Sequence, residues 1–415
     1  MATITADVRR GSGGTALTVL LALMVLLNYV DRGALGIAAP GLKEELALDA
    51  VGFGLAVSAF SWVYAPSQFL IGWLSERICV YRLVAAGLAV WALATTLTGF
   101  VTSLTMLVAM RVILGIGEGV AFPAASAVIA RHVHGSRRGM ANGVVASALY
   151  YGPALGSFAG GMILASAGWR PIFLIFGLVT FLWLIPWLMS SKPHWRRPET
   201  ERGARVPIGR ILAEPTAWST GIGHFCNTYG FYFLLAWLPL FLVKSRGFTV
   251  LEMTSLLTML YLVLGTSALA VGWLSDRLVA AGYDESRLRK GLMGVSHGGT
   301  AITILGAGLS TSPEALTAWL MFYALVASPG GSNCYALAQI YAGPRAAGSW
   351  VGVMNGLGNI SGIVGPILTG VLIERSGNYL TAFYVAAAIP AFGAFWWTLV
   401  LPRARQLIVD EPAPA

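Results

Sequence analysis

The sequence predicts an all-α membrane protein of 12 transmembrane helices, arranged as two pseudo-symmetric six-helix bundles. Three observations predict it. Apolar residues fill 56% of the 415 positions and charged residues only 11%, against roughly a quarter in soluble domains. Apolar runs of about twenty residues, long enough to span a bilayer as a helix, recur along the whole chain. A six-residue motif returns 200 positions later at the equivalent place in the second half. Lipid itself solvates the outer faces of such helices, so no polar coat is needed.

The runs cover 16–39, 51–74, 81–100, 104–130, 139–166 and 169–190, then 217–243, 251–275, 290–310, 314–338, 346–373 and 379–401. The first follows Arg9 and Arg10, as a signal-peptide core would. It exceeds a typical h-region and carries Asp31 and Arg32, so it reads as a retained first span. The longest polar segment, 191–216, holds Lys192, Arg196, Arg197, Arg202, Arg205 and Arg210. It is read as a cytoplasmic linker between an N-terminal bundle, 1–190, and a C-terminal bundle, 217–415.

With both termini cytoplasmic, 20 of the 27 Lys and Arg residues fall on the cytoplasmic side. The outer loops hold only Lys43, Arg170, Lys244, Arg246 and Arg375, and that excess orients the chain. Arg32 and Arg111 lie inside spans. Topology thus explains the net charge of +9 without a nucleic-acid-binding face. Cys79, Cys226 and Cys334 show neither CxxC spacing nor a ligand cluster, so no disulfide framework, metal or cofactor is expected. No nucleophile–base cluster or phosphate loop suggests an enzyme.

The repeat pairs Gly72-Trp73-Leu74-Ser75-Glu76-Arg77, closing the second span, with Gly272-Trp273-Leu274-Ser275-Asp276-Arg277, closing the eighth. A weaker echo pairs Gly152-Pro153-Ala154-Leu155 with Gly365-Pro366-Ile367-Leu368. Repeats of this kind place a substrate site near the midplane, between the halves. Over nearly its whole length the chain resembles the major facilitator superfamily, whose loop motif the hexapeptides match. Glu76 stands where that motif usually has Asp, and Cys79 where it has Gly. The resemblance implies a cytoplasmic gate at Glu76, Arg77, Asp276 and Arg277, whose carboxylates cap helices and pair with arginine until the gate opens.

Of the 18 acidic residues, only Asp31 and Glu118 lie well inside spans. Each ionised group at the bilayer centre costs roughly 2.5–3.5 kcal/mol on insertion scales, which makes these two, with Arg32 and Arg111, functional candidates. Arg111 and Glu118 are seven residues apart, within about 20° of one helical face and about 10.5 Å along the axis. Asn28 precedes Asp31 by three residues and Arg32 by four, on the same side of the first span. A guanidinium forks onto a carboxylate through two parallel hydrogen bonds, so the arginines suit an organic anion. An anion arriving there withdraws counter-charge from the carboxylates and favours proton uptake, linking the two in one step.

A sharper resemblance rests on Asn28-Tyr29-Val30-Asp31-Arg32, Ser58-Ala59-Phe60-Ser61-Trp62-Val63-Tyr64 and Arg111-Val112-Ile113-Leu114-Gly115-Ile116-Gly117-Glu118. These runs look like the anion:cation symporter family, which includes galactonate and hexuronate carriers. It implies Asp31 and Glu118 as proton-coupling carboxylates, and Arg32, Arg111 and Tyr64 as contacts for the substrate anion. Asn355 and Asn359, one turn apart, are similar to that family's Met-Asn-x-x-Gly-Asn run. Asn28, Tyr150, Asn227 and Tyr232 complete the candidate substrate contacts. His224 is read as a helix-end histidine. Leu149 stands where sugar-acid carriers have Gln, which favours a smaller or partly apolar carboxylate.

The expected function is therefore proton-coupled import of a small organic anion by alternating access, by a monomer in the cell (inner) membrane. The alternative is a proton-coupled drug or metabolite exporter on the same fold, suggested by Gly152-Pro153 but opposed by two cavity arginines.

Overall fold

A computed structural model describes residues 2–75, 78–132, 138–195, 208–343 and 346–407. Among the described residues fifteen α-helices run in order: α1 (Ala2–Glu45), α2 (Ala50–Ser75), α3 (Val80–Thr98), α4 (Leu104–Glu118), α5 (Ala121–His132), α6 (Arg138–Ala167), α7 (Arg170–Ser191), α8 (Ile208–Leu212), α9 (Pro215–Arg246), α10 (Val250–Ala280), α11 (Glu285–Leu309), α12 (Pro313–Ala342), α13 (Ala347–Gly358), α14 (Ser361–Ser376) and α15 (Leu380–Phe395). No strand occurs among the described residues.

Every expected span is helical. Among the described residues, ten segments are long and apolar enough to cross a membrane. The fifth and tenth expected spans are α6 and α12, each of 30 residues, where Gly, Ser, Pro and Tyr lower the mean hydropathy. Two spans expected as single helices are interrupted. The fourth breaks at Gly119–Val120 between α4 and α5, and the eleventh breaks at Asn359–Ile360 between α13 and α14.

The helix starts follow local chemistry. Ser103 caps α4 by accepting from the Met106 N–H, and Asp284 caps α11 by accepting from the Arg287 N–H at 2.8 Å. Ser312 caps α12, whose first residue is Pro313.

The chain packs as two compact units, Met1–Thr200 with Leu235–Leu262, and Glu201–Leu234 with Val263–Ala415. In the first unit α1 lies closely along α6; a β-carbon on Gly152 would come within 2.6 Å of Tyr29 Cβ and 2.7 Å of the Leu26 carbonyl oxygen. Small residues at such crossings let helix backbones meet where no hydrophobic force drives association. At the start of α7, Arg170 donates to Glu45, to the Gly99 carbonyl at 2.9 Å and to the Val101 carbonyl at 3.0 Å, tying α7 to the ends of α1 and α3.

In the second unit Trp350, Tyr341, Cys334, Met354 and Trp397 form a buried core. The segment after α15 lies along this unit. Lys290 donates to the Leu401 carbonyl at 2.6 Å, Tyr341 to the Pro402 carbonyl at 2.6 Å, and the Ala404 N–H to Ser286 Oγ at 2.7 Å. Arg403 pairs with Asp284.

Candidate functional site

The buried charges of the first unit converge. α1 supplies Asn28, Asp31 and Arg32, and α4 supplies Arg111 and Glu118, all buried. The Arg32 Nε–H donates to Glu118 Oε2 at 2.9 Å, with side-chain exposures of 4% and 0%. The Arg32 guanidinium lies over three rings, 4.8 Å from Tyr29, 4.9 Å from Phe60 and 4.2 Å from Tyr64. Phe60 and Tyr64, one turn apart on α2, stack on each other at 4.9 Å. Aromatic faces attract a desolvated guanidinium by about 2 kcal/mol or more, so these rings hold Arg32 as well as line the site.

Arg111 differs. Its guanidinium lies 5.2 Å from the Phe60 ring, and its Nε, fully buried, meets no hydrogen-bond acceptor among the described residues. Asp31 Oδ2 accepts from the Trp91 indole N–H at 2.5 Å and from the Thr95 hydroxyl at 3.2 Å. The carboxyl has no ion pair among the described residues; α4 contributes the charges that act on it, Glu118 and Arg111. Asn28 lies beside the Glu118 carboxyl without meeting hydrogen-bond geometry at either amide atom. Tyr150, on α6, is half-buried.

The second unit gathers the remaining candidates separately. Tyr232 donates to Asn359 Oδ1 at 2.7 Å, and the Asn359 amide donates to the Asn355 carbonyl at 2.9 Å. Asn355 Oδ1 accepts from Tyr335, on α12, at 3.0 Å. Asn227 packs against Gly330. His224 does not end a helix. It sits well inside α9, buried, with Nδ1 3.2 Å from Cys334 Sγ and its ring 5.7 Å from Tyr335. The helix starts at Pro215, two residues before the apolar run 217–243, and His224 is its tenth residue.

Of the four gate residues, Glu76 and Arg77 lie outside the described residues. Asp276 falls within α10, with its side chain outside the description. Arg277 is exposed and stacks over Trp273 at 4.0 Å.

Sequence reasoning missed Trp91, Thr95 and Tyr335. Each is an amphipathic residue in an apolar run, where indole, methyl and ring read as packing. A four-residue spacing between Trp91 and Thr95 on α3 was the available signal for one polar edge.

The geometry is that of a polytopic membrane protein with two buried guanidiniums and two buried carboxyls clustered inside its first helical unit. A guanidinium can hold one carboxylate in place of another through two parallel hydrogen bonds. The model of the Major Facilitator Superfamily matches residues 21–283, and the chain belongs to that family.

The chain is 30% identical over 416 residues to a probable sulfoacetate transporter of Cupriavidus necator, covering 95% of this chain and 94% of that protein. It is 29% identical to the hexuronate transporter of Bacillus subtilis, covering 95% of each. It is 28% identical to the chloroplastic ascorbate transporter of Arabidopsis thaliana, covering 90% of this chain and 72% of that one. Among solved structures, a bacterial homolog of the human lysosomal transporter Spinster, inward-facing and unoccupied, superposes with a TM-score of 0.79 at 18% identity. It covers 94% of this chain and 97% of that one, and the likeness shows the shared fold.

Proposed function

We propose that this protein imports a small organic anion with protons across the cell (inner) membrane, by alternating access and as a monomer. The observation that carries the reading is Arg111: a buried guanidinium whose Nε has no acceptor among the described residues, beside a second arginine already paired with Glu118. A carboxylate or sulfonate entering there satisfies Arg111 and competes with Glu118 for Arg32. Displaced from its counter-charge, Glu118 takes up a proton, and Asp31 shares that role. Tyr64, Asn28 and Tyr150 are the neutral contacts of the first unit, and Asn227, Tyr232, Asn355 and Asn359 those of the second. Glu76, Arg77, Asp276 and Arg277 serve the cytoplasmic gate. The relatives named for sulfoacetate, hexuronate and ascorbate support an acidic substrate. Leu149 in place of an amide favours one with fewer hydroxyls than a sugar acid.

The test is uptake into proteoliposomes of sulfoacetate, glucuronate and galactarate, with and without an acid-outside gradient. At least one should accumulate only with the gradient. Arg111→Ala should abolish uptake, and Glu118→Gln should keep anion exchange while losing accumulation. Gradient-driven efflux of a cationic dye, with none of these acids accumulated, would place the protein among exporters instead. Accumulation by Glu118→Gln against a gradient would remove Glu118 from the coupling.

A further inference from the structure

The two buried carboxyls of the first unit are held in different ways. Glu118 is held by a cation, whereas Asp31 is held by neutral donors, both from α3. Trp91 and Thr95 are one turn apart and reach the same oxygen, Oδ2. No described donor reaches Oδ1. Trp91 is fully buried, and its position is set by backbone contact: a β-carbon on Gly117 of α4 would come within 2.6 Å of the Trp91 amide nitrogen. The backbone that carries the indole is therefore pressed against α4, and the indole N–H reaches Asp31. An indole N–H can donate but never accept, so it holds only an oxygen that carries no proton.

We propose that Trp91 and Thr95 are positioning residues of the coupling site: together they hold Oδ2 of Asp31 and leave Oδ1 as the oxygen that gains and loses the proton. The inference rests on the reading of Asp31 as a proton carrier. It adds a fourth helix, α3, to a site otherwise drawn from α1, α2 and α4. The charged groups around the carboxyl are Glu118 and Arg111 from α4 and Arg32 on its own helix; α3 brings only the two neutral donors.

When Oδ1 carries the proton, Oδ2 is the carbonyl oxygen of the acid. Each donor on it lowers the carbonyl stretching frequency. Infrared spectroscopy of the purified full-length protein, titrated with acid alone, reads that stretch without any substrate. The Asp31 band is identified by its loss in Asp31→Asn.

Trp91→Phe should move this band to higher frequency. Thr95→Val should move it the same way by less, because 3.2 Å is a weaker bond than 2.5 Å. Thr95→Ser should restore it, and the band lost in Glu118→Gln should stay in place throughout. Should Trp91→Phe fail to fold, the smaller Thr95 changes still decide. An Asp31 band unmoved by both variants overturns the proposal. So does a shift larger for Thr95→Val than for Trp91→Phe, or the absence of any Asp31 acid band. In liposomes, Trp91→Phe should lower gradient-driven accumulation of the transported acid about 10-fold, the effect of one hydrogen bond to a charged group. Should no acid be transported at all, the infrared result stands by itself, so the two readings fail separately.

Discussion

Separating Arg32 from Glu118 offers a measure of the buried cluster that needs no substrate. The replacements are Arg32→Met and Glu118→Leu, singly and together, chosen to keep side-chain volume. At 2.9 Å the pair attracts by about 6 kcal/mol with an effective dielectric of about 20. Desolvation of both ions cancels most of that, so the net worth of the pair is small. A single replacement removes the attraction but leaves the remaining ion out of water, at a cost of about 3–5 kcal/mol. Glu118→Leu should be the costlier of the two, because two guanidiniums then face Asp31 alone. Arg32→Met leaves Glu118 with Arg111 as a residual counter-charge. The double replacement leaves Asp31 with Arg111 and should return close to the parent stability.

Thermal unfolding in detergent measures this. Each single should lower Tm by roughly 6–20 °C at about 2–4 °C per kcal/mol for a unit of this size. The double should fall well short of the sum. Singles that cost under about 1 kcal/mol, or costs that simply add, would refute a coupled buried ion pair.

Three further outcomes follow from the packing. Gly117→Ala should destabilise by about 1–3 kcal/mol in the same assay, since its methyl meets the Trp91 backbone rather than a movable side chain. Arg170→Ala should lower stability by about 1–2 kcal/mol and speed amide exchange around Gly99–Val101, whose carbonyls it serves. The segment after α15 should loosen only in acid. The Arg287 backbone N–H, and then Arg403, hold the Asp284 carboxyl below its ordinary range. Its contribution is therefore complete above 3.8 and is lost as the pH falls through the lower folded-state value. Hydrogen exchange over residues 401–407 should rise in that window and not at neutral pH.

The spans were legible because lipid demands apolar runs, and a run of twenty has little else to become. The interruptions at Gly119 and Asn359 were not, since glycine in a membrane helix signals close packing as readily as an end. The four charges announced themselves by rarity. Their pairing did not: Asp31, Arg32, Arg111 and Glu118 admit several neutral arrangements, and only packing selects Arg32 with Glu118. The aromatic cage was partly visible in Phe60 and Tyr64, one turn apart. Trp91 was hidden because an indole in a membrane span usually serves its ring, and only its four-residue spacing from Thr95 marked a polar edge. His224 was misplaced although it is the eighth residue of its own apolar run, which already set it inside the helix.

The Arg170 corner bears on how motion could reach Asp31. Thr95 is four residues from Gly99, about 6 Å along the helix axis. The clamp on the Gly99 and Val101 carbonyls therefore grips α3 one turn from Thr95, the nearer of the two donors to Asp31. A guanidinium on the carbonyl end of a helix also neutralises its dipole, which makes the joint hard to slide. The end of α3 is an anchored pivot with a short lever arm: a few degrees of tilt about Arg170 displaces the Thr95 hydroxyl by a fraction of an ångström. Hydrogen bonds to Asp31 would register such a tilt well before any helix had visibly moved.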